Sequence, residues 1–172
     1  MRIRPLFFAV LFPTAVVAQI SPDSPMVQAL RDGRASVPAP ESQGAQVIVE
    51  KIKHKTGSQG DVTVEFVRIE AFTSQPKCGR VGYAFYQKSS NTFWGQFGGQ
   101  LNICDDGSPP ERECPGQAKL VAATARCADG SMARDTPEVK AALARAVARG
   151  SMTEAQFKPK FEAYLKKGVV KK

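Results

Sequence analysis

CGRVGYAFYQK (residues 78–88) and FWGQFGGQLNIC (residues 93–104) are the two stretches that decide the fold. In the second stretch four large apolar residues share one parity, namely Phe93, Phe97, Leu101 and Ile103. The other parity holds Trp94, Gln96, Gln100 and Asn102. A period of two is that of a β-strand, and residues 89–92 between the stretches are suited to a chain reversal. We therefore predict an antiparallel hairpin at the centre of a small β domain.

A further hairpin is predicted just before this one. Residues 46–55 open on Val-Ile-Val, residues 57–60 have turn chemistry, and residues 61–72 alternate between apolar and polar. In that last stretch the apolar parity shifts at Val67, which predicts a bulge, a strand buried on both faces, or a change of partner. Residues 118–127 are predicted as a strand, with a helix as the alternative because of their alanines, and the β domain then covers residues 46–130.

The four cysteines predict two disulfides, because an even number of cysteines in an exported chain is typical of a disulfide framework. Two pairings have a physical rationale. We favour Cys104–Cys114 with Cys78–Cys127, since the Gly- and Pro-containing loop after Cys104 needs a clamp. The alternative is Cys78–Cys104 with Cys114–Cys127, which follows from the register of the central hairpin.

The N-terminus has the pattern of a secretory signal peptide, residues 1–18: two cations, a short apolar run, a proline and then small residues. Cleavage after Ala18 leaves a mature chain without a membrane-spanning segment, located in the periplasm or the medium. Residues 19–45 contain four prolines among Ser, Gly and Gln, and we predict a flexible Pro-rich linker there.

Residues 135–167 predict a basic helical hairpin. Thr136 is suited to cap the first helix, with Pro137 at its first position and Gly150 after its end. The apolar faces repeat at helical spacing; they comprise Val139, Leu143, Ala146 and Val147, then Phe157, Phe161, Tyr164 and Leu165. The predicted fold class is therefore α+β, a disulfide-bonded antiparallel β domain followed by a C-terminal two-helix hairpin.

Within this hairpin, residues 139–166 resemble the short C-terminal domain called SHOCT. The matching residues are Gly150, Met152, Thr153, Glu154, Gln156 and Phe157, while Pro159 departs from the pattern. The resemblance implies a module for protein interaction or oligomerisation, with no catalytic role. It says nothing about the rest of the chain.

The positive charge is concentrated in the same region, since residues 135–172 hold nine Lys or Arg against four acids. Its lysines form a candidate partner surface for an acidic protein or anionic lipid: Lys158, Lys160, Lys166 and Lys167. The alternative is a solvated helix face that complements the helix dipole. Export argues against nucleic acid as the partner.

The candidate ligand surface, for a glycan or a peptide, consists of the residues of the second parity, Trp94, Gln96, Gln100 and Asn102. Most aromatic residues of this hairpin are instead assigned to the core. The chain has one histidine, His54, and its cysteine spacing lacks the paired pattern of zinc sites. We therefore predict no catalytic residue, no metal and no cofactor. A converging pair among Asp61, Glu65 and Glu70 would be needed for hydrolysis, and no spacing indicates one.

Together these patterns predict an exported, non-catalytic binding or adaptor protein with a partner in the cell envelope. Two alternatives are an envelope hydrolase or an inhibitor of one, and a structural component of an envelope or secretion assembly. Self-association through the C-terminal hairpin would favour the structural component.

Overall fold

A computed structural model of the protein describes residues 20–150 and 158–163. The predicted signal peptide, residues 1–18, lies outside them. Among the described residues, no helix is both long enough and apolar enough to cross a bilayer.

The centre of the fold is a four-stranded antiparallel sheet. Its strands, in spatial order, are β1 (Arg34–Pro38), β2 (Val62–Ala71), β3 (Cys78–Gln87) and β4 (Thr92–Cys104). The predicted central hairpin is confirmed as β3 and β4, which reverse through one 3-10 turn and Asn91 in the left-handed conformation (φ 49°). The α+β class with two disulfides is confirmed as well.

The strand predicted at residues 46–55 is wrong, because this segment is helix α2 (Gln43–Thr56). Ala45, Val49 and Ile52 are its buried residues, and their spacing of four and three is helical, whereas Val47 is exposed. The β-branched run Val-Ile-Val resembles a strand only when its neighbours are ignored. Its three side chains point in different directions around the helix axis.

The flexible linker predicted at residues 19–45 is also wrong. This segment forms helix α1 (Pro25–Asp32) and strand β1. Ser24 caps α1 by accepting a hydrogen bond from the Val27 backbone N–H at 3.3 Å, and Val27 and Leu30 pack in the core. The prolines mark the ends of elements: Pro25 begins α1, and Pro38 ends an edge strand, where its missing N–H is tolerated.

The two faces of the sheet are covered differently. Helices α1 and α2 pack on one face, which we call the helical face, against apolar residues such as Val64, Val81 and Phe85. The opposite, polar face carries Glu65 and Arg80 beside a small apolar patch. Of the alternatives predicted for the parity shift in β2, burial on both faces explains the shift at Val67, which is buried on the polar face while its register with β3 is still regular. A bulge follows between Arg68 and Glu70.

The first helix of the predicted C-terminal hairpin is confirmed as α3 (Pro137–Arg149), with Thr136 accepting from the Val139 N–H at 3.4 Å. Its buried residues, Val139 and Ala142, pack on Phe72 and on Cys78 and Cys104. Residues 158–163 are helical as well. The connection between the two segments, and with it Phe157, Tyr164 and Leu165, lies outside the described residues.

A carboxylate fixes the start of α3 to the loop between β2 and β3. Glu138 accepts hydrogen bonds from the backbone N–H groups of Thr73 (2.6 Å) and Ser74 (2.8 Å), and from the Ser74 hydroxyl. The Ser74 hydroxyl and these two N–H groups hold the pKa of Glu138 below its usual range. The helix is thus attached to the sheet at its N-terminus as well as through its apolar face.

The disulfides are Cys78–Cys104 and Cys114–Cys127, so the pairing favoured from sequence is wrong and the alternative is correct. The register of β3 and β4 places Cys78 directly opposite Cys104, with a Cα–Cα distance of 3.9 Å. The second cysteine of each disulfide begins a loop with the same sequence pattern, Cys-x-Asp-Gly-Ser, at residues 104–108 and 127–131. In both loops the Asp accepts from the Ser N–H, at 2.8 Å for Asp106 and 2.9 Å for Asp129.

The strand predicted at residues 118–127 is not formed. Val121 makes a single bridge to Arg112, which belongs to the short strand β5 (Arg112–Glu113). β5 pairs with β6 (Arg134–Asp135), and together they close a small lobe around Cys114–Cys127. The disulfide reinforces this two-stranded sheet, because the segment has few large apolar residues to bury.

Candidate functional site

An open groove of about 760 Å³ lies between α2 and β4 on the helical face. We call it the tryptophan groove. It is lined by Glu50, Lys51, His54, Lys55, Trp94, Gln96 and Phe97. The polar residues come from α2 and the aromatic ones from β4, so the groove has one charged wall and one aromatic wall.

A wide bulge in β4 builds the aromatic wall. Trp94 pairs with Phe85 and Gly99 with Tyr83, so five steps along β4 match two steps along β3. The extra residues loop out of the sheet and carry Gln96 and Phe97 into the groove. At the end of the bulge, a Cβ on Gly98 would lie 2.1 Å from the Tyr83 carbonyl oxygen, so only glycine permits this approach.

The indole of Trp94 is the central group of the groove. Only 6% of the residue is exposed, its ring stacks on Phe97 at a centroid distance of 6.5 Å, and the Lys55 Nζ lies 5.2 Å from its ring centre. Among the described residues, Trp94 Nε1 is the one buried side-chain nitrogen or oxygen without a hydrogen-bond partner. A buried, unpaired N–H is unfavourable, and because this atom is itself buried it is not exposed to a ligand in the groove.

The α2 wall is mainly basic. Lys51 and Lys55 lie one turn apart, with His54 between them and Glu50 as the acidic member of the wall. Lys51, His54 and Lys55 are exposed, so the charge of the two lysines is available to a ligand in the groove. The arrangement suits a molecule with an apolar surface and an acidic group.

The ligand surface predicted from strand parity divides between the two faces of the sheet. Trp94 and Gln96 lie together in the tryptophan groove, whereas Gln100 and Asn102 lie on the polar face and accept hydrogen bonds from Arg80. The bulge adds three residues to β4, and an odd number reverses the side-chain alternation. Sequence reasoning therefore missed Phe97, Lys51 and Lys55.

The predicted partner surface is only partly described. Lys160 is half-buried and donates a hydrogen bond from Nζ to the Ile69 carbonyl at 2.9 Å, and Lys158 is also half-buried. Lys166 and Lys167 lie outside the described residues. Phe161 in the same segment packs on the polar face, 5.0 Å from Phe93 and 5.5 Å from Tyr86 between ring centroids.

The acidic residues of β2 are each held by neighbours. Glu65 is buried and accepts hydrogen bonds from Arg34 (3.1 Å), Ser36 (2.6 Å) and Thr63 (2.8 Å). Glu70 accepts from Arg145 at 2.6 Å. In residues 20–150 and 158–163, no three His, Cys, Asp or Glu side chains are grouped as metal ligands.

No known protein family, curated protein or solved structure matches the chain.

Proposed function

We propose that the protein is an exported, non-catalytic binding protein and that the tryptophan groove is its ligand site. The ligand class that fits the groove is an acidic peptide segment with a large apolar side chain. The observation that carries this proposal is one open groove in which the aromatic wall of Trp94 and Phe97 faces the basic wall of Lys51 and Lys55. Two disulfides are consistent with an oxidising compartment outside the cytoplasm.

The two walls of the groove account for both parts of the ligand. Phe97 and Trp94 provide aromatic surface for an apolar side chain, and burial of such a side chain contributes about 1.5–3 kcal/mol. Lys51 and Lys55 provide charge for a carboxylate, which screening by salt weakens at an exposed site.

Among the alternatives, hydrolysis receives less support than binding. The carboxylates of β2 are engaged by arginine and hydroxyl groups, and Glu50 is the one carboxylate in the groove wall. An inhibitor role would need a rigid protruding loop between Cys104 and Cys114. Each of these cysteines instead bonds to a residue outside that loop.

Binding can be followed by the fluorescence of Trp94, since the chain contains a single tryptophan. We expect an acidic peptide with an aromatic or aliphatic side chain to shift the emission of the mature chain in a saturable way. Phe97→Ala combined with Lys55→Gln should weaken the fitted affinity by at least about tenfold, because the variant loses both aromatic contact and charge.

Lys53→Gln is the matched control, because Lys53 lies on the same helix but does not line the groove. It should leave the affinity within about twofold. A panel of acidic peptides and oligosaccharides that leaves the emission unchanged would contradict the groove as a ligand site. A response to oligosaccharides alone would contradict the peptide class.

The exposed side of α3 favours a second candidate function, interaction or oligomerisation through the C-terminal region. Leu143 is 46% exposed and Val147 is 73% exposed, and they lie one turn apart on the side of α3 away from Ala142. This is the part of the predicted apolar face that the sheet does not cover. It would serve either an adaptor or a component of an envelope assembly.

Self-association through α3 predicts a concentration-dependent increase in molar mass for the mature chain. Val147→Glu should shift the light-scattering mass toward the monomer, since a charge would be buried at the contact. Ala148→Glu adds the same charge at a neighbouring exposed position and should have less effect. A monomeric mass for the mature chain at high concentration would exclude self-association.

A further inference from the structure

A second cavity, of about 140 Å³, lies between the polar face and the C-terminal segments. Its charged lining residues come from four separate parts of the chain: Glu70 on β2, Arg80 on β3, Arg145 and Arg149 on α3, and Lys160 in the helical residues 158–163. The cavity is on the opposite face of the sheet from the tryptophan groove. We call it the arginine cavity.

Among the described residues, the lining of the arginine cavity carries four cations and one anion. Glu70, the carboxylate in this described lining, is paired with Arg145, whose Nη2 lies 2.6 Å from Glu70 Oε2. Lys160 donates to a neutral carbonyl, that of Ile69. The cavity therefore has an excess of positive charge, and its potential attracts anions.

Arg80 is the buried member of this set, with 5% of its surface exposed. Its Nε donates to Gln100 Oε1 at 2.8 Å and its Nη1 donates to Asn102 Oδ1 at 2.7 Å, so two neutral amides fix the guanidinium. Burial lowers the pKa of Arg80, Glu70 raises it, and Arg145 lowers it again. A buried cation held by amides and facing another arginine is unfavourable unless an anion compensates it.

From this geometry we infer that the arginine cavity binds a phosphate-class oxyanion, either a phosphoryl or a sulfate group. The volume is sufficient for one tetrahedral anion with a few waters, since one water takes roughly 30 Å³ in the liquid. Guanidinium groups match such anions because they donate two parallel hydrogen bonds. This inference is independent of the tryptophan groove.

Calorimetric titration of the mature chain with inorganic phosphate, at constant ionic strength, tests the inference. We expect saturable binding by the wild-type chain and about tenfold or greater weakening in Arg149→Gln/Lys160→Gln, which loses two of the four cations. Lys140→Gln is the matched control, since Lys140 lies on α3 outside the cavity. It should bind phosphate as the wild-type chain does.

Two results would overturn the inference: no binding of phosphate or sulfate at millimolar concentration, or equal losses in the cavity variant and in Lys140→Gln. If the double variant does not fold, Arg149→Gln alone decides, because Arg149 is exposed and its replacement leaves the packing intact. Glycerol 1-phosphate and phosphatidylglycerol vesicles distinguish a free phosphate ester from a lipid headgroup. Binding to either that is lost in the cavity variant supports the inference.

Discussion

Replacement of Cys78 and Cys104 by alanine is expected to lower the free energy of unfolding by about 3 kcal/mol. This disulfide closes a loop with a sequence separation of 26, so its removal returns considerable conformational freedom to the unfolded chain. Both cysteines are also buried against Phe72, Val139 and Ala142. The loss therefore combines the entropy of the unfolded chain with weaker packing where α3 contacts the sheet.

Urea denaturation of the mature chain measures this loss, and amide hydrogen exchange shows where it occurs. The matched control is Cys114→Ala with Cys127→Ala, which opens a loop with a separation of 13 inside the small lobe. We expect faster exchange in α3 only in the first variant. Equal exchange of α3 in both variants would show that Cys78–Cys104 does not hold the helix.

The elements that could be predicted from the sequence are those whose conformation and ends are set by residues near one another along the chain. Hairpin β3–β4 was predictable because its strands alternate clearly and its turn is short. Helix α3 was predictable because Thr136, Pro137 and Gly150 are the residue types that favour its ends. In both cases the residues that define the element lie close along the chain or directly across one turn.

The incorrect predictions have a shared physical cause, since tertiary packing overrode local preference. The Val-Ile-Val run favours a strand, but it is helical because Val49 and Ile52 are buried on the sheet. Likewise, the proline-containing segment orders because α1 buries Val27 and Leu30. A signal for the disulfides was present, since Cys104 and Cys127 each begin a Cys-x-Asp-Gly-Ser loop and thus have equivalent positions, whereas the favoured pairing gave them different roles.

The candidate site was only half predictable for the same reason. Alternation along β4 placed Trp94 with Gln96, which is correct, and with Gln100 and Asn102, which lie across the sheet. The bulge that separates them depends on the pairing with β3, and a single strand does not reveal its register. The glycines of β4 indicated a bulge but not the number of residues in it.

Gly98→Ala is expected to destabilise the protein by about 3 kcal/mol, near the upper end for overpacking. The added Cβ would lie 2.1 Å from the Tyr83 carbonyl oxygen and 3.2 Å from the Ala84 Cα. These are backbone atoms of strand β3, so no side-chain rotation relieves the clash. Strand β4 would have to move away from β3, at the point where its bulge returns to the sheet.

Gly44→Ala makes the same chemical change at a position where it should raise the stability of the protein instead of lowering it. A Cβ on Gly44 meets nothing within 4 Å, and the residue lies in the first turn of α2, where alanine favours the helix by roughly 0.5–1 kcal/mol. In thermal unfolding, the Tm of Gly98→Ala should therefore lie below that of the wild-type chain and the Tm of Gly44→Ala above it.

The fluorescence of Trp94 gives a second test. Since Gly98 also ends the bulge that carries Phe97, its replacement should alter Trp94 emission, and Gly44→Ala should not. A Gly98→Ala protein with wild-type stability and emission would mean that β4 does not approach Tyr83 as closely as described, and the aromatic wall of the groove would need another explanation.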